Sequence, residues 1–279
     1  MSHSISRLGK IMGMAHVAAA GFCLALVLGL FSCGGPKEAV HPDVTSLTEK
    51  KPLGTSVKIL SVNLVHAVKD RSDAKKIAAW IKSTGAEVVT VQQIEVPGEG
   101  KQGFNAVKEL AAQTEMYQFF GKARYLDGFD SGNAIFSIYP VRQSTVVLLP
   151  VSKGKVRRSL AYGVVDIGLV SIGIGSTELD DQSAGDRAAQ AQEILKSSAS
   201  FSDFHYFVTG AMYEPANGGV ATSLSRKFEL ANLKLEGAAS MQQHMYAPKN
   251  PKITAAEIRH VQFKEKKLEG VLVLYQISE

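Results

Sequence analysis

The sequence predicts an α/β protein in which two packed mixed β-sheets are flanked by helices. Three observations carry this. A strand–helix–strand unit opens the folded part, between residues 57 and 92. From residue 117 onward, short β-rich runs separated by turn residues take over. A helical run at 188–195 then interrupts the strands, so both halves of the chain hold both element types. Sheets in such chains bury one face under helices and the other against a second layer.

The elements follow in order. Val57-Lys58-Ile59-Leu60-Ser61-Val62-Asn63-Leu64 alternates and is apolar enough for a central strand. Ser72 is placed to cap a helix whose Ala74, Ile77, Ala78 and Ile81 share one face, and Gly85 ends it. Glu87-Val88-Val89-Thr90-Val91-Gln92 is β-branched and reads as the next strand. A Gly- and Pro-containing loop spans 97–103, and a second amphipathic helix carries Phe104, Val107, Leu110 and Ala111. Strands are predicted at 117–123, 133–137, 145–149, 159–167 and 169–175, with a turn-rich loop at 127–132 and a hairpin-like turn at 152–155. A short buried strand is predicted at 206–209, and closing strands at 257–263 and 270–277; residues 222–236 fit neither pattern.

Composition narrows the class. With 45% hydrophobic and 20% charged residues among 279, the chain is neither disordered nor collagen-like, and it is long enough to bury a sizeable core. Net charge is +5. Arg7 and Lys10 supply two of these charges in an N-terminal stretch without acids, which leaves +3 for the rest. A surplus that small, mixed with acids throughout, makes nucleic acid an unlikely partner. Two cysteines near the N-terminus, Cys23 and Cys33, exclude a disulfide scaffold or a cysteine-based zinc site in the folded part.

The N-terminus reads as an address. A basic start precedes a run without charged residues from 11 to 36, whose most apolar part is Leu24-Ala25-Leu26-Val27-Leu28. The end, Leu30-Phe31-Ser32-Cys33-Gly34-Gly35, resembles a bacterial lipoprotein signal. That resemblance implies removal of residues 1–32, acylation (palmitate among the chains) of Cys33, a flexible tether over 33–55 and a folded domain over 56–279. It places the protein in the bacterial cell envelope, held to a membrane by lipid, at the outer membrane or cell surface. The plain alternative is a single membrane-spanning anchor.

Four later segments resemble the endonuclease/exonuclease/phosphatase superfamily of metal-dependent phosphodiesterases, over nearly all of residues 57–275. Ser61-Val62-Asn63-Leu64 is similar to the family's first strand, which ends in a pocket Asn. Ala86-Glu87-Val88-Val89-Thr90-Val91-Gln92-Gln93-Ile94 resembles "D-A-D-I-V-A-L-Q-E-V". Residues from Asp130-Ser131-Gly132-Asn133 through Ile138-Tyr139-Pro140 resemble "G-N-A-I-L-S-R-Y-P", and Arg187-Ala188-Ala189-Gln190 resembles "R-x-x-Q". The fold this implies is a four-layer sandwich. The chemistry it implies is a divalent cation, usually Mg²⁺, held by carboxylates, with a His–Asp base and groups that stabilise charge on the phosphoryl oxygens.

This chain departs from the family at the chemical positions. The metal-binding Glu falls on Gln93 and the charge-stabilising His on Glu178. "G-D-x-N" falls on Gly210-Ala211-Met212-Tyr213, so Ala211 and Tyr213 replace a carboxylate and an amide. The acid of "I-D-Y-I" falls on Arg259, and no closing "S-D-H" is present. Asn63 alone is retained, either to bind a ligand oxygen or to cap a turn. Losing several members of a catalytic unit costs far more than the others can supply. The expectation is therefore a pseudoenzyme that needs no cofactor and binds an envelope ligand or protein partner, with no confident catalytic residue and no metal ligand.

Two other readings stay open. In one, Glu95, Glu178 or Asp180 rebuilds a Mg²⁺ site in a divergent phosphodiesterase or nuclease. In the other, the protein is an envelope structural component. Glu178, Asp180, Asp181 and Asp186 form an acidic cluster, most simply a solvated loop. His66 and His205 read as satisfied or surface histidines, and Trp80 as packing. Lys153, Lys155, Arg157 and Arg158 read as an exposed basic hairpin.

Overall fold

Alternation along Ser56–Asn63 (β1) sends Leu60 and Val62 to one apolar layer and Val57 and Ile59 to another. That split is repeated across the molecule and sets its architecture. The structure is a computed structural model and describes residues 56–168, 170–237 and 241–278. The signal, Cys33 and the tether lie outside the described residues, as does Leu169. Among the described residues, no helix is long and apolar enough to cross a membrane.

The helices are Arg71–Thr84 (α1), Ala106–Thr114 (α2), Ala184–Ser197 (α3) and Gly219–Leu224 (α4). The strands after β1 are Val88–Pro97 (β2), Tyr117–Leu126 (β3), Phe129–Ser137 (β4), Val141–Leu148 (β5), Ser159–Asp166 (β6), Ser171–Glu178 (β7), His205–Ala211 (β8), Phe228–Leu230 (β9), Gln243–Pro248 (β10), Ile253–Phe263 (β11) and Leu268–Ile277 (β12). One sheet has the order β11-β12-β1-β2-β4-β3 and the other β5-β6-β7-β8-β10-β9. Each holds one parallel pair, β1–β2 and β7–β8, connected through α1 and α3 respectively; the other pairs are antiparallel.

Three apolar layers result. Leu60, Ile77, Ile81 and Leu110 pack one sheet under α1 and α2. Leu160, Ile194, Val208 and Leu224 pack the other under α3 and α4. Ile59, Val88, Ile135, Phe207, Met245 and Val273 fill the space between the sheets. The four-layer arrangement that the family resemblance implies is present. Trp80 stacks on Phe263 at 5.6 Å between ring centres, a packing role as expected.

Several boundaries differ from the sequence reading, each for a physical reason. Asp70, not Ser72, caps α1: its side chain accepts from the Asp73 N–H at 2.9 Å. The expected loop at 127–132 shrinks to a turn at Asp127-Gly128, because Gly132 lies inside β4. A Cβ there would stand 2.1 Å from the Gly121 carbonyl oxygen on β3, so Gly132 permits close strand contact instead of a turn. Asn133 is likewise buried in β4, its amide donating to the Ser159 carbonyl at 2.8 Å. Residues 222–236 divide among the end of α4, β9 and a 3₁₀ turn at Ala231–Lys234. β10 had no sequence prediction: Gln-His-Met-Tyr-Ala-Pro does not alternate, yet four of its six residues are buried between β8 and β9.

Candidate functional site

The carboxyl ends of β1 and β8 and the bulge of β2 at Gln93, where its pairing with β4 shifts register, open on one cleft of about 780 Å³. Ligands of open α/β sheets sit beyond such strand ends. Asn63, Gln93, Ala211 and Tyr213 line it, as four of the expected positions should. Glu178, at the end of β7, is buried beside it and reaches it through its partners. Arg259 does not join them. It pairs with Leu272, whose side chain belongs to the helix-covered layer, and its guanidinium meets Glu257 at 2.7 Å on the surface. Strand alternation turns its neighbour His260 to the cleft instead, 3.5 Å from Glu269. From the second sheet the cleft is reached by Gln243 on β10, which the sequence reading missed together with that strand.

These side chains close on one another. The Tyr213 hydroxyl donates to Glu178 Oε1 at 2.9 Å. It accepts from Asn63 Nδ2 at 3.2 Å and from Gln93 Nε2 at 3.3 Å. Gln93 Nε2 also donates to Glu178 Oε1. Behind this group lies Arg158, whose side chain is 5% exposed, 2.5 Å from Glu178 Oε2 and 3.0 Å from Asp181 Oδ1. The reading of Arg158 as part of an exposed basic hairpin is thus corrected; Lys153, Lys155 and Arg157 are exposed, but Arg158 turns inward. The Glu178 carboxylate is thus paired from behind by a buried guanidinium. Asn63 takes the turn-capping role: Oδ1 accepts from the Val65 N–H at 3.1 Å, while Nδ2 is engaged with the Tyr213 hydroxyl.

The backbone around the cleft is unusual. Val65, His66, Gln93 and Tyr213 all have left-handed backbones, with φ between 47° and 57°. Non-glycine residues adopt this conformation at a cost and keep it where surrounding bonds impose it. Here the Leu64 and His66 N–H groups donate to the Gln92 and Gln93 carbonyls at 3.0 and 3.1 Å. Deeper in, Gln243 Nε2 donates to Ser61 Oγ and Gln92 Oε1, both at 2.6 Å, and Gln92 Nε2 donates to Ser176 Oγ at 3.1 Å. The cleft floor is therefore an amide network joining both sheets.

The donor set does not fit a hard dication. Among the described residues, no group of three or more His, Cys, Asp or Glu side chains converges as a metal site. Asn63, Gln93 and Gln243 bring neutral oxygens, which attract Mg²⁺ far less than carboxylates do. Burial, followed by the charge and hydrogen bond of Glu178, raises the Tyr213 pKa far above that of free tyrosine, so its hydroxyl stays protonated. Glu178 is committed to Arg158, and Glu95 lies 3.2 Å from His66 Nδ1. Asp180 accepts from the Gln182 and Ser183 N–H groups. Burial opposes its ionisation, but those N–H groups and the charge of Arg158 outweigh that and hold its carboxyl below the ordinary 3.8. Asp186 accepts from Ser152 Oγ at 2.5 Å, so the acidic run is not the solvated loop expected: Glu178, Asp180 and Asp186 are buried, and Glu178 and Asp181 share Arg158. His244, which drew no notice in the sequence, is wholly buried next to Gln243; burial lowers its pKa from 6.5 to about 4, and it is neutral at neutral pH.

No protein-family model and no curated protein sequence matches the chain. Solved structures do. An endonuclease/exonuclease/phosphatase from Beutenbergia cavernae superposes with a TM-score of 0.67 at 17% identity, over 80% of this chain and 72% of that one. A family protein from Leptotrichia buccalis gives 0.63 at 14% identity, over 80% and 100%. A mannosyl-6-phosphatase from Bacteroides thetaiotaomicron gives 0.61 at 11% identity, over 78% and 99%. Two six-stranded mixed sheets between helices, with a cleft at the ends of their parallel strands, thus give this chain the endonuclease/exonuclease/phosphatase fold.

Proposed function

We propose that this is a lipid-anchored cell-envelope protein whose cleft binds a ligand or protein partner without hydrolysing it. One observation carries the reading: Gln93 and Tyr213 donate to Glu178, and Arg158 pairs with it, where a phosphodiesterase needs free carboxylates and a base. A protonated tyrosine and neutral amides accept and donate hydrogen bonds but neither anchor a dication nor withdraw a proton from water. Asp181, Glu236 and Glu269 face the cleft beside Lys267, which disfavours nucleic acid, and the proposed anchor makes the partner an envelope component. Anchoring rests on the Leu30-Phe31-Ser32-Cys33 sequence.

The test is a hydrolysis assay of the full chain with a bis-aryl phosphate and plasmid DNA, in Mg²⁺ or Mn²⁺. No turnover above the uncatalysed rate is expected. Metal-dependent turnover abolished by a chelator would overturn the reading in favour of a divergent hydrolase. Anchoring is read separately: Cys33→Ala is expected to abolish labelling by radioactive palmitate, and undiminished labelling would refute the lipid attachment.

A further inference from the structure

The end of the sandwich that holds the cleft also gathers its exposed apolar side chains. Val65, Tyr125, Leu126, Phe129, Leu148 and Val156 are between 40% and 62% exposed, and they are all but Leu233 of the exposed large hydrophobic residues among those described. Strand register puts all six at this end. Val65 lines the cleft itself. Asn63, at the end of β1, pairs with Gln92 on β2, and further along β2 Pro97 pairs with Phe129, so the β3–β4 turn projects roughly 15 Å past the end of β1. On the other sheet Leu160 pairs with Thr177, next to Glu178, and Leu148 pairs with Ser159, so the turn at 149–158 leaves from the same end. The two hairpins stand side by side, because a Cβ on Gly121 of β3 would meet Ala161 of β6 and Val146 of β5.

Cations frame these tips. Lys101, Arg124, Lys153, Lys155 and Arg157 have no carboxylate partner among the described residues. Lys101 belongs to the 98–103 loop, which is tied to the β3–β4 turn by the Gly98 N–H donating to the Gly128 carbonyl at 2.9 Å. Lys122 pairs with Asp130 and lies over the Tyr125 ring at 5.7 Å. Glu99, Asp127 and Asp130 are the acids on the same loops, half as many as the cations; the acids of the cleft, Asp181, Glu236 and Glu269, come from other segments. Apolar side chains scattered singly over a surface need no explanation, but a group gathered on the turns of one end and ringed by cations fits a partner that is anionic at its face and apolar beneath.

We propose that this end of the molecule docks on an anionic phospholipid bilayer. Leu126, Phe129, Leu148 and Val156 enter the headgroup layer, and Lys101, Arg124, Lys153, Lys155 and Arg157 meet lipid phosphates. Asp127, at the apex of the β3–β4 turn, limits the depth to that layer. The cleft then opens toward the membrane. β1 starts at the far end, so the chain from Ser56 back to Cys33 must pass along the domain; extended, residues 33–55 reach about 75 Å, well beyond the roughly 26 Å of β1. The docking rests on the proposed lipid anchor only for bringing a membrane within reach, and it stands whether or not the cleft hydrolyses anything.

The test adds one tryptophan to the full chain and reads its fluorescence in vesicles whose acyl chains carry bromine as a quencher. Leu126→Trp probes the docking end. Lys252→Trp is the control, since the neighbouring Ile253 pairs with Ile277 beside the start of β1. The unaltered chain, with Trp80 alone, supplies the background. In phosphatidylglycerol vesicles, quenching is expected for Leu126→Trp and not for Lys252→Trp, and it should be weaker in phosphatidylcholine. Adding Lys153→Ala, Lys155→Ala and Arg157→Ala, all on an exposed turn, should largely abolish it, because each cation near the surface is worth about fivefold in binding. Palmitate labelling of Cys33 reads anchoring on its own; if Cys33 carries no lipid, anchoring is refuted, and quenching of the chain added to vesicles still decides the docking. No quenching of Leu126→Trp would overturn the proposal in favour of a protein partner for this face. Equal quenching of Lys252→Trp, equal quenching in the two lipids, or quenching indifferent to loss of the three cations would each overturn it as well.

Discussion

Arg158 and Glu178 are both nearly sealed from water, so the state of each depends on the other. Removing one partner of a buried ion pair leaves an uncompensated charge, whereas replacing both can be close to neutral. Arg158→Met is therefore expected to lower unfolding stability by about 3–5 kcal/mol in urea denaturation. Adding Glu178→Gln should recover much of that loss; additive losses would show that the pair is not coupled. His244 gives a pH signature. The unfolded chain protonates this residue near 6.5 and the folded chain only near 4, so between those values the unfolded state binds more protons. Stability is then fully present above 6.5 and falls with pH through this window, by about 3 kcal/mol at the low end. Denaturation at stepped pH should show this slope, and His244→Gln should reduce it, leaving the part due to His205, whose pKa burial also lowers below 6.5. The depressed Asp180 acts in the same direction only below 3.8, outside that window. Asn63, Gln93 and Tyr213 were legible because each falls in a short motif that resembles the family's. Arg158 was not, because a Lys- and Arg-rich run at a turn reads as solvated until the buried carboxylate opposite is known. His244 stayed hidden within a strand that has no alternation.

Elements were legible where their apolar period was clean. Ala74, Ile77, Ala78 and Ile81 fixed α1, and its Gly85 terminus has φ of 68°, the left-handed value glycine tolerates. Its start was misplaced because Asp70 and Ser72 are both good caps, and only backbone geometry chooses between them. Asp70→Ala is accordingly expected to cost about 1 kcal/mol, and Ser72→Ala only a few tenths. Denaturation midpoints of the two variants decide this; equal losses would contradict the assigned cap. β4 began later in the sequence reading because Gly132 and Asn133 have turn chemistry, and only the neighbouring Gly121 carbonyl shows that the glycine is there for closeness. β10 was lost because buried partners on both edges replace alternation as the reason for a strand.

Across the whole molecule, the sequence by itself determined the α/β class, the number of apolar layers and most helix and strand positions, since period and turn residues are local properties. Together with the family resemblance, it also singled out Asn63, Gln93, Glu178, Ala211 and Tyr213 as the positions to look for around one cleft. Only the tertiary structure decided how those side chains are used. Glu178, Arg158, Gln93 and Tyr213 come from four segments, up to 120 residues apart between Gln93 and Tyr213, and their mutual neutralisation exists only once two sheets bring them together. The same holds for Arg259, which strand register turns away from the cleft, and for Gln243, which register turns toward it. Side-chain chemistry is written residue by residue, but a charge acquires its meaning from what opposes it, and that is settled by packing.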